Sequence, residues 1–314
     1  MSPPKDLSIL MIAYNHAQFL GKAIQSVLDQ QTNFSWELVI GDDASTDGSQ
    51  EILSRYSKDP RIRVLPASSR LGMSRNFART LGACSGRYVA FLEGDDYWID
   101  PSKLQRQLTL LESRPDVALC ATNALLHRES SGGLEPDFGF TSREERTLVT
   151  SDLVWGNPAH TCTYVVRRSA IPEIDADLLR LGMLDFPIWI LASRHGSLVK
   201  LTQCTGAYRI HDQGVWTSTS ARRRIVLTIE ALSCIEGRLE DPVIRKAIVR
   251  QRHLHWAREI ALAAREGDRK DLARRCLRTI TAPLSCGLLP RARIQALVAL
   301  FSCWFGGRAS HRPV

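Results

Sequence analysis

Glu93-Gly94-Asp95-Asp96 sets three carboxylates within four residues, directly after the apolar run Tyr88–Leu92. Like charges this close repel, and packing them in a core is unfavourable without compensation. A divalent cation supplies that compensation, and Gly94 lets the backbone turn sharply enough for the acids to converge. Mg²⁺ or Mn²⁺ on one or two carboxylates, with phosphate oxygens in the remaining positions, is the chemistry this cluster suits. A polar loop after a buried strand, or acids at a helix N-terminus, would read the same way, so the surrounding elements must decide.

Those elements alternate. Leu7–Ala13 is an unbroken apolar run of buried-strand type, and Trp36–Ile40, Ile62–Leu65 and Tyr88–Leu92 are further strands. Phe19–Gln30, Glu51–Tyr56 and Ser74–Ala83 carry helical periods between them. Four such alternations in about 90 residues predict an α/β fold with a mainly parallel central sheet flanked by helices. Ligands of such sheets bind outside the carboxyl ends of the strands. Tyr14-Asn15-His16, Asp42–Asp47 and Glu93–Asp96 all fall at those ends. Downstream, Pro101–Glu112 and Leu184–Ser193 read as helices, and Val117–Ala121, Thr161–Val166, Leu198–Leu201 and Ala207–Ile210 as strands. Glu129–Arg146 is polar, holds glycines and has no period, so a mobile loop is expected there.

Composition narrows the class. At 314 residues, 44% hydrophobic and 24% charged, the chain has the makeup of an ordinary globular protein with a large core. Met1–Asp6 is polar and Leu7–Ala13 too short for a leader, and the apolar Ile294–Phe305 falls short of the roughly 20 residues of a spanning helix. A cytoplasmic location is expected. Eight scattered cysteines without a Cys-x-x-Cys pair point to buried free thiols rather than disulfides or zinc. From Thr219 onward 19 Lys and Arg face 8 Asp and Glu, whereas the first 218 residues carry 22 against 25. The basic character belongs to an Arg- and Ala-rich helical tail, which divides the chain into domains 1–218 and 219–314. Nucleic acid is not an expected partner, because aromatic interleaving is sparse and no recognition motif appears.

Leu7–Asn15, Asp42-Asp43-Ala44-Ser45-Thr46-Asp47 and Glu93-Gly94-Asp95-Asp96, in this order, resemble the family 2 glycosyltransferases, inverting enzymes of GT-A fold. The resemblance covers about residues 6–217. Asn157–Thr163, Leu184–Trp189 and Tyr208–Trp216 resemble a bacterial branch associated with surface polysaccharides. The resemblance implies a nucleotide-diphosphate sugar donor, a UDP-sugar first among them, and a glycan or lipid-linked acceptor. It implies a divalent metal, Mn²⁺ or Mg²⁺, on Asp95, Asp96 and His211, bridging the departing diphosphate. Glu93 stands where many relatives have aspartate, and Ala13 where they often have proline. On the nucleotide and donor side it places Ala13, Tyr14, Asn15, Asp42, Asp43, Arg75, Asn76, Glu93, Gly94 and Asp95. Tyr14 could cover a base or simply pack, and Arg75 could equally be a solvated helix charge.

Inversion needs a base on the face opposite the leaving group, and Asp185 matches the family's catalytic aspartate. Trp98, His160, Trp189 and Trp216 are expected on the acceptor side, Trp189 as a sugar platform or a core aromatic. The tail is either a helical cap or a basic surface resting on anionic lipid, peripheral at the inner face of the membrane, with Arg291 and Arg293 leading into Ile294–Phe305. A sugar nucleotidyltransferase would want a glycine-rich loop after the first strand, and Tyr14–Gln18 is not one. A non-catalytic nucleotide-sugar-binding scaffold is the remaining alternative.

Overall fold

Leu7–Ala13 forms the expected buried strand, β1, with Leu7, Ile9 and Met11 wholly withdrawn from solvent. The computed structural model describes residues 5–265, and the chain divides between Ser218 and Thr219 into two compact units. After β1 come α1 (Ala17–Leu28), β2 (Trp36–Asp42), α2 (Ser49–Tyr56), β3 (Ile62–Leu65), α3 (Met73–Ala83) and β4 (Tyr88–Glu93). Then follow β5 (Tyr97–Trp98), α4 (Lys103–Ser113), β6 (Val117–Arg128), β7 (Gly133–Pro136), β8 (Arg146–Leu148) and α5 (Thr150–Leu153). The first unit ends with β9 (Val165–Arg167), α6 (Asp185–Ala192), β10 (Ser197–Ile210) and α7 (Val215–Ser218).

The strands form one sheet in the order β3-β2-β1-β4-β9-β6-β10-β5, with β7 beside β6 and β8 beside β10. β1 pairs parallel with β2 on one side and β4 on the other. β9 runs antiparallel between β4 and β6. The helices cover the sheet through apolar stripes, such as Leu20, Ala23, Ile24 and Val27 of α1. One side chain ties two helix starts together. Asp47 Oδ2 accepts from the Ala17 N–H at 2.9 Å, and its Oδ1 accepts from the Ser49 N–H at 3.0 Å, so one carboxylate caps α1 and α2 at once.

The alternation read from the sequence holds, with four differences, one being that Thr161–Thr163 of the expected strand winds into a 3-10 turn and only Val165–Arg167 pairs. The two short strands at 198–201 and 207–210 are one strand, β10, because register shifts around Cys204 break the period without ending the pairing. Val117–Ala121 continues to Arg128 because its buried polar residues find partners. Thr122 Oγ1 lies 2.6 Å from Thr205 Oγ1, and Asn123 donates to Ser142 O and Thr202 O. The segment 129–146 is not structureless, since β7 pairs with β6 through its backbone although its side chains are exposed.

The second unit begins with α8 (Ala221–Glu236) and α9 (Pro242–Arg265). Arg222–Glu259 at 2.8 Å and Arg252–Glu236 at 2.5 Å pair the two helices. Among the described residues no helix is long and apolar enough to cross a membrane. Arg291, Arg293 and Ile294–Phe305 lie outside the described residues. The five described cysteines are free, and burial pushes the Cys84 and Cys120 thiols up to about 12.

Candidate active site

Chain order jumps across β1, from β3 to β4, so the carboxyl ends of β1 and β4 flank the crevice where sheets of this kind take their ligands. The acidic turn sits in that crevice. Gly94 donates its N–H to Ile12 O at 2.9 Å, and a Cβ there would stand 2.9 Å from His16 Nδ1 and 3.2 Å from Ala13 Cβ. Only glycine lets the acidic turn lie this close to the end of β1, where Ala13 also packs.

Asp95 and Asp96 point different ways. Asp95 Oδ2 is 3.1 Å from His211 Nε2 and 3.8 Å from His16 Nε2. The Phe19 ring packs on His211 at 4.5 Å. Asp96 is 2% exposed, and its Oδ1 accepts the Arg209 backbone N–H at 2.8 Å. Arg209 also donates from Nε to Asp95 O at 2.6 Å, and its guanidinium bonds Glu129 over the Phe19 and Tyr97 rings. The expectation that Asp96 shares a metal with Asp95 is therefore not met by the geometry. Asp96 fastens the turn to β10, and His211 is what faces Asp95.

Electrostatics follow this division. Burial pushes the Glu93 carboxyl well above the usual range, and the charges of Asp96, Asp95 and Asp185 add to it. Burial and the Asp95 charge do the same to Asp96. Burial would raise Asp95 too, but the His211 hydrogen bond and the charges of His16 and His211 bring it below the usual range. Glu93 Oε2 is buried with no hydrogen-bond partner. Among the described residues no three His, Cys, Asp or Glu side chains cage an ion by themselves. A carboxylate oxygen facing an imidazole, with an orphaned carboxylate oxygen in the same turn, is nonetheless a donor set that suits Mn²⁺ or Mg²⁺ whose other positions come from a diphosphate and water.

Asp185 opens α6 and takes the Thr161 hydroxyl on Oδ2 at 2.8 Å. Burial raises its pKa against the lowering effect of Thr161 and the Phe186 N–H. The charge of Asp185 is among the causes that raise the Glu93 carboxyl.

The expected nucleotide side is partly framework. Asn15, at a left-handed φ of 54°, receives the Thr46 N–H on Oδ1 at 2.9 Å, which locks the loops after β1 and β2 together. Asp42 is 1% exposed, and its Oδ1 accepts from Ser45 Oγ at 2.5 Å. Its Oδ2 makes only contacts of 3.3 and 3.4 Å, to the Ser45 N–H and Gln50, leaving acceptor capacity for a stronger donor. Asp43 accepts the Leu71 and Gly72 N–H groups ahead of α3. Asn76 is buried, donating to Gly41 O and accepting from Arg79, so it is a strut rather than a ligand contact. Arg75 is exposed. The Arg70 guanidinium lies 4.0 Å over the Tyr14 ring.

Three acceptor-side expectations change. Trp98 is 4% exposed and bonded to Cys162 O, and Trp189 is 1% exposed, stacked on Tyr164 at 4.4 Å. Both are core aromatics. His160 is stacked on Tyr208 and bonded to Asp137 at 2.7 Å, supporting its loop from behind. Trp216 on α7 is 38% exposed. His16, Arg209 and Thr161 reach the site without having been singled out. The first stands in the first polar insertion, but the other two had no signal beyond their motif neighbours.

Residues 8–163 match the sequence pattern of the glycosyl transferase family 2. The chain is 30% identical over 213 residues, 67% of its length and 81% of the relative's, to the putative teichuronic acid biosynthesis glycosyltransferase TuaG of Bacillus subtilis. In fold it is similar to S. aureus TarS in complex with UDP-GlcNAc, with a TM-score of 0.61 at 15% identity over 95% of this chain and 81% of that one. It is similarly like the mannosyltransferase PcManGT of Pyrobaculum calidifontis in complex with GDP-Man and Mn²⁺, with a TM-score of 0.59 at 15% identity over 98% and 89%.

Proposed function

This chain belongs to glycosyltransferase family 2, and from that premise we propose that it moves a sugar, with inversion, from a nucleotide-diphosphate donor to an acceptor hydroxyl. The observation that carries the reading is the crevice between β1 and β4, where the acidic turn is held to the end of β1 and Asp95 faces His211. Asp95 and His211 are the residues that would hold a divalent metal. When bound, that ion neutralises the charge that develops on the departing diphosphate. Asp42 Oδ2 accepts from the nucleoside, and the Asn15–Thr46 bond fixes the loop pair around it. Asp185, oriented by the Thr161 hydroxyl, takes the proton of the acceptor hydroxyl as that oxygen attacks the anomeric carbon. Its raised pKa makes it a stronger base than an exposed aspartate. The donor is a UDP-sugar, in line with the ligand of the TarS complex. The acceptor is a growing surface glycan or its lipid-linked precursor, in line with the name of TuaG.

The test is Asp185→Asn. Transfer should fall by about 10²-fold or more while nucleotide affinity in the presence of Mn²⁺ stays within about twofold. Loss of nucleotide affinity with unchanged turnover at saturation would remove Asp185 from the base role. A thermal-shift series with UDP-, GDP- and dTDP-sugars identifies the donor, because the bound one raises the melting temperature by mass action.

A further inference from the structure

We propose that a second pocket, behind the 157–161 segment, binds a compact oxyanion, carboxylate or phosphate, carried by the acceptor. The cavity, of about 410 Å³, is lined by Phe140, Thr141, Arg143, Arg146, Pro158 and Lys200. The assignment to the acceptor rests on the transferase reading above.

Charge is the first observation. Three cations line the cavity against one carboxylate, Glu144. Lys200 on β10 and Arg146 on β8 are direct cross-strand partners in antiparallel register. Like charges placed opposite each other on a sheet repel, and an anion between them would relieve that repulsion. Arg143 and Arg146 are both exposed at the cavity's mouth. The nearby Asp137 carboxylate acts on Lys200 by its charge, but its hydrogen bonds go to His160 and the Gly139 N–H and not to the three cations.

The second observation is a built floor. Lys200 is 3% exposed, and its ammonium donates to Phe140 O and to Pro158 O, the latter at 2.6 Å. Two of its three N–H groups are spent holding the loop to the strand, which fixes the direction of the third. Thr141 Oγ1, buried at the wall, has no partner. A fixed ammonium, an unsatisfied hydroxyl and two guanidinium forks at the mouth form a donor set for a two- or three-oxygen anion.

The third observation is position. Pro158 lines the pocket, and Thr161, three residues on, holds Asp185. Three residues span at most about 11 Å, so the pocket wall at Pro158 belongs to the same short segment as the residue that orients the base. The pocket would thus read an acidic group on the residue at or next to the accepting hydroxyl.

The experiment uses the full chain and four probes followed by ligand-observed NMR at 0.1 M salt: methyl glucuronide, glycerol 3-phosphate, and their neutral counterparts methyl glucoside and glycerol. Binding of either anionic probe without its neutral counterpart, weakened about tenfold or more in Arg143→Gln/Arg146→Gln, supports the pocket. Which anion binds distinguishes a uronate-bearing from a phosphate-bearing acceptor. Arg143→Lys/Arg146→Lys should restore part of the affinity. Binding of neutral and anionic probes alike, no binding, or binding unchanged in the glutamine variant would overturn it. UDP affinity, measured in parallel, should be the same in both proteins. Its absence in the wild type would count against the nucleotide-sugar reading and not against anion binding here.

Discussion

At the scale of single residues, the site turns on two adjacent aspartates with opposite duties. Asp95 faces His211 and His16, while Asp96 faces inward to the Arg209 backbone. Asp95→Asn should therefore reduce Mn²⁺-dependent nucleotide affinity beyond the about 10- to 100-fold that outer-shell changes cost. Asp96→Asn keeps an acceptor for the Arg209 N–H and should leave that affinity within about threefold. Calorimetric titration with UDP and Mn²⁺ checks both, and equal losses would make Asp96 a ligand. The residue types of this site were legible in the sequence, but their directions were not. Neighbouring positions on a tight turn diverge, and nothing in the letters Asp-Asp tells which one faces the crevice. The same limit explains Trp98 and Trp189, since an aromatic at a sugar platform and one in a core have identical local sequence. Arg209 was invisible for a different reason. Its importance comes from reaching back 113 residues to Asp96, a contact that only the sheet topology creates.

At the scale of elements, β1 and β4 were readable because buried parallel strands are written as nearly unbroken apolar runs. β10 was read as two pieces because the bulges near Cys204 place polar residues where the period demands apolar ones. Helix α4 hides a further surprise. Its apolar face was expected from Leu104, Leu108 and Leu111, yet Lys103 is also completely buried. Its Nζ donates to Gln107 Oε1 at 2.6 Å and lies 4.6 Å over the Trp98 ring. Burial lowers its pKa from 10.5 to about 7, with no carboxylate close enough to reverse it. The folded state thus prefers the neutral amine, while the unfolded chain holds its proton up to the ordinary value. The unfolded state binds more protons between about 7 and 10.5, so this helix–sheet contact gains stability as pH rises through that window. Urea unfolding of Lys103→Met should show a flatter pH profile than wild type from pH 7 to 9.5, with the variant's advantage, if any, shrinking as pH rises. Parallel profiles would mean that Lys103 titrates normally.

At the scale of the whole molecule, charge is segregated. From Thr219 onward 19 Lys and Arg face 8 Asp and Glu, whereas the preceding residues are slightly acidic. A chain built this way should meet an anionic bilayer through its tail. Cosedimentation with vesicles containing anionic lipid is expected at low salt, with release as the Debye length falls below about 8 Å above physiological ionic strength and little binding to neutral vesicles. Binding that persists unchanged after deletion of residues 288–314 would exclude that segment as the anchor. The family was legible because its motifs sit at fixed strand ends. The anion pocket was not, because its cations come from a polar loop, the short strand β8 and the start of β10, which no spacing rule connects. That placement of β10 also sets an order of events during synthesis. The acidic turn follows β4, but the residues that fasten and complete it, Arg209 and His211, lie at and just past the end of β10, which stands between β6 and β5. Since a domain generally folds as a unit, a nascent chain that ends before this strand carries the carboxylates without the means to use them, and competence arrives only once the last described strand has been made.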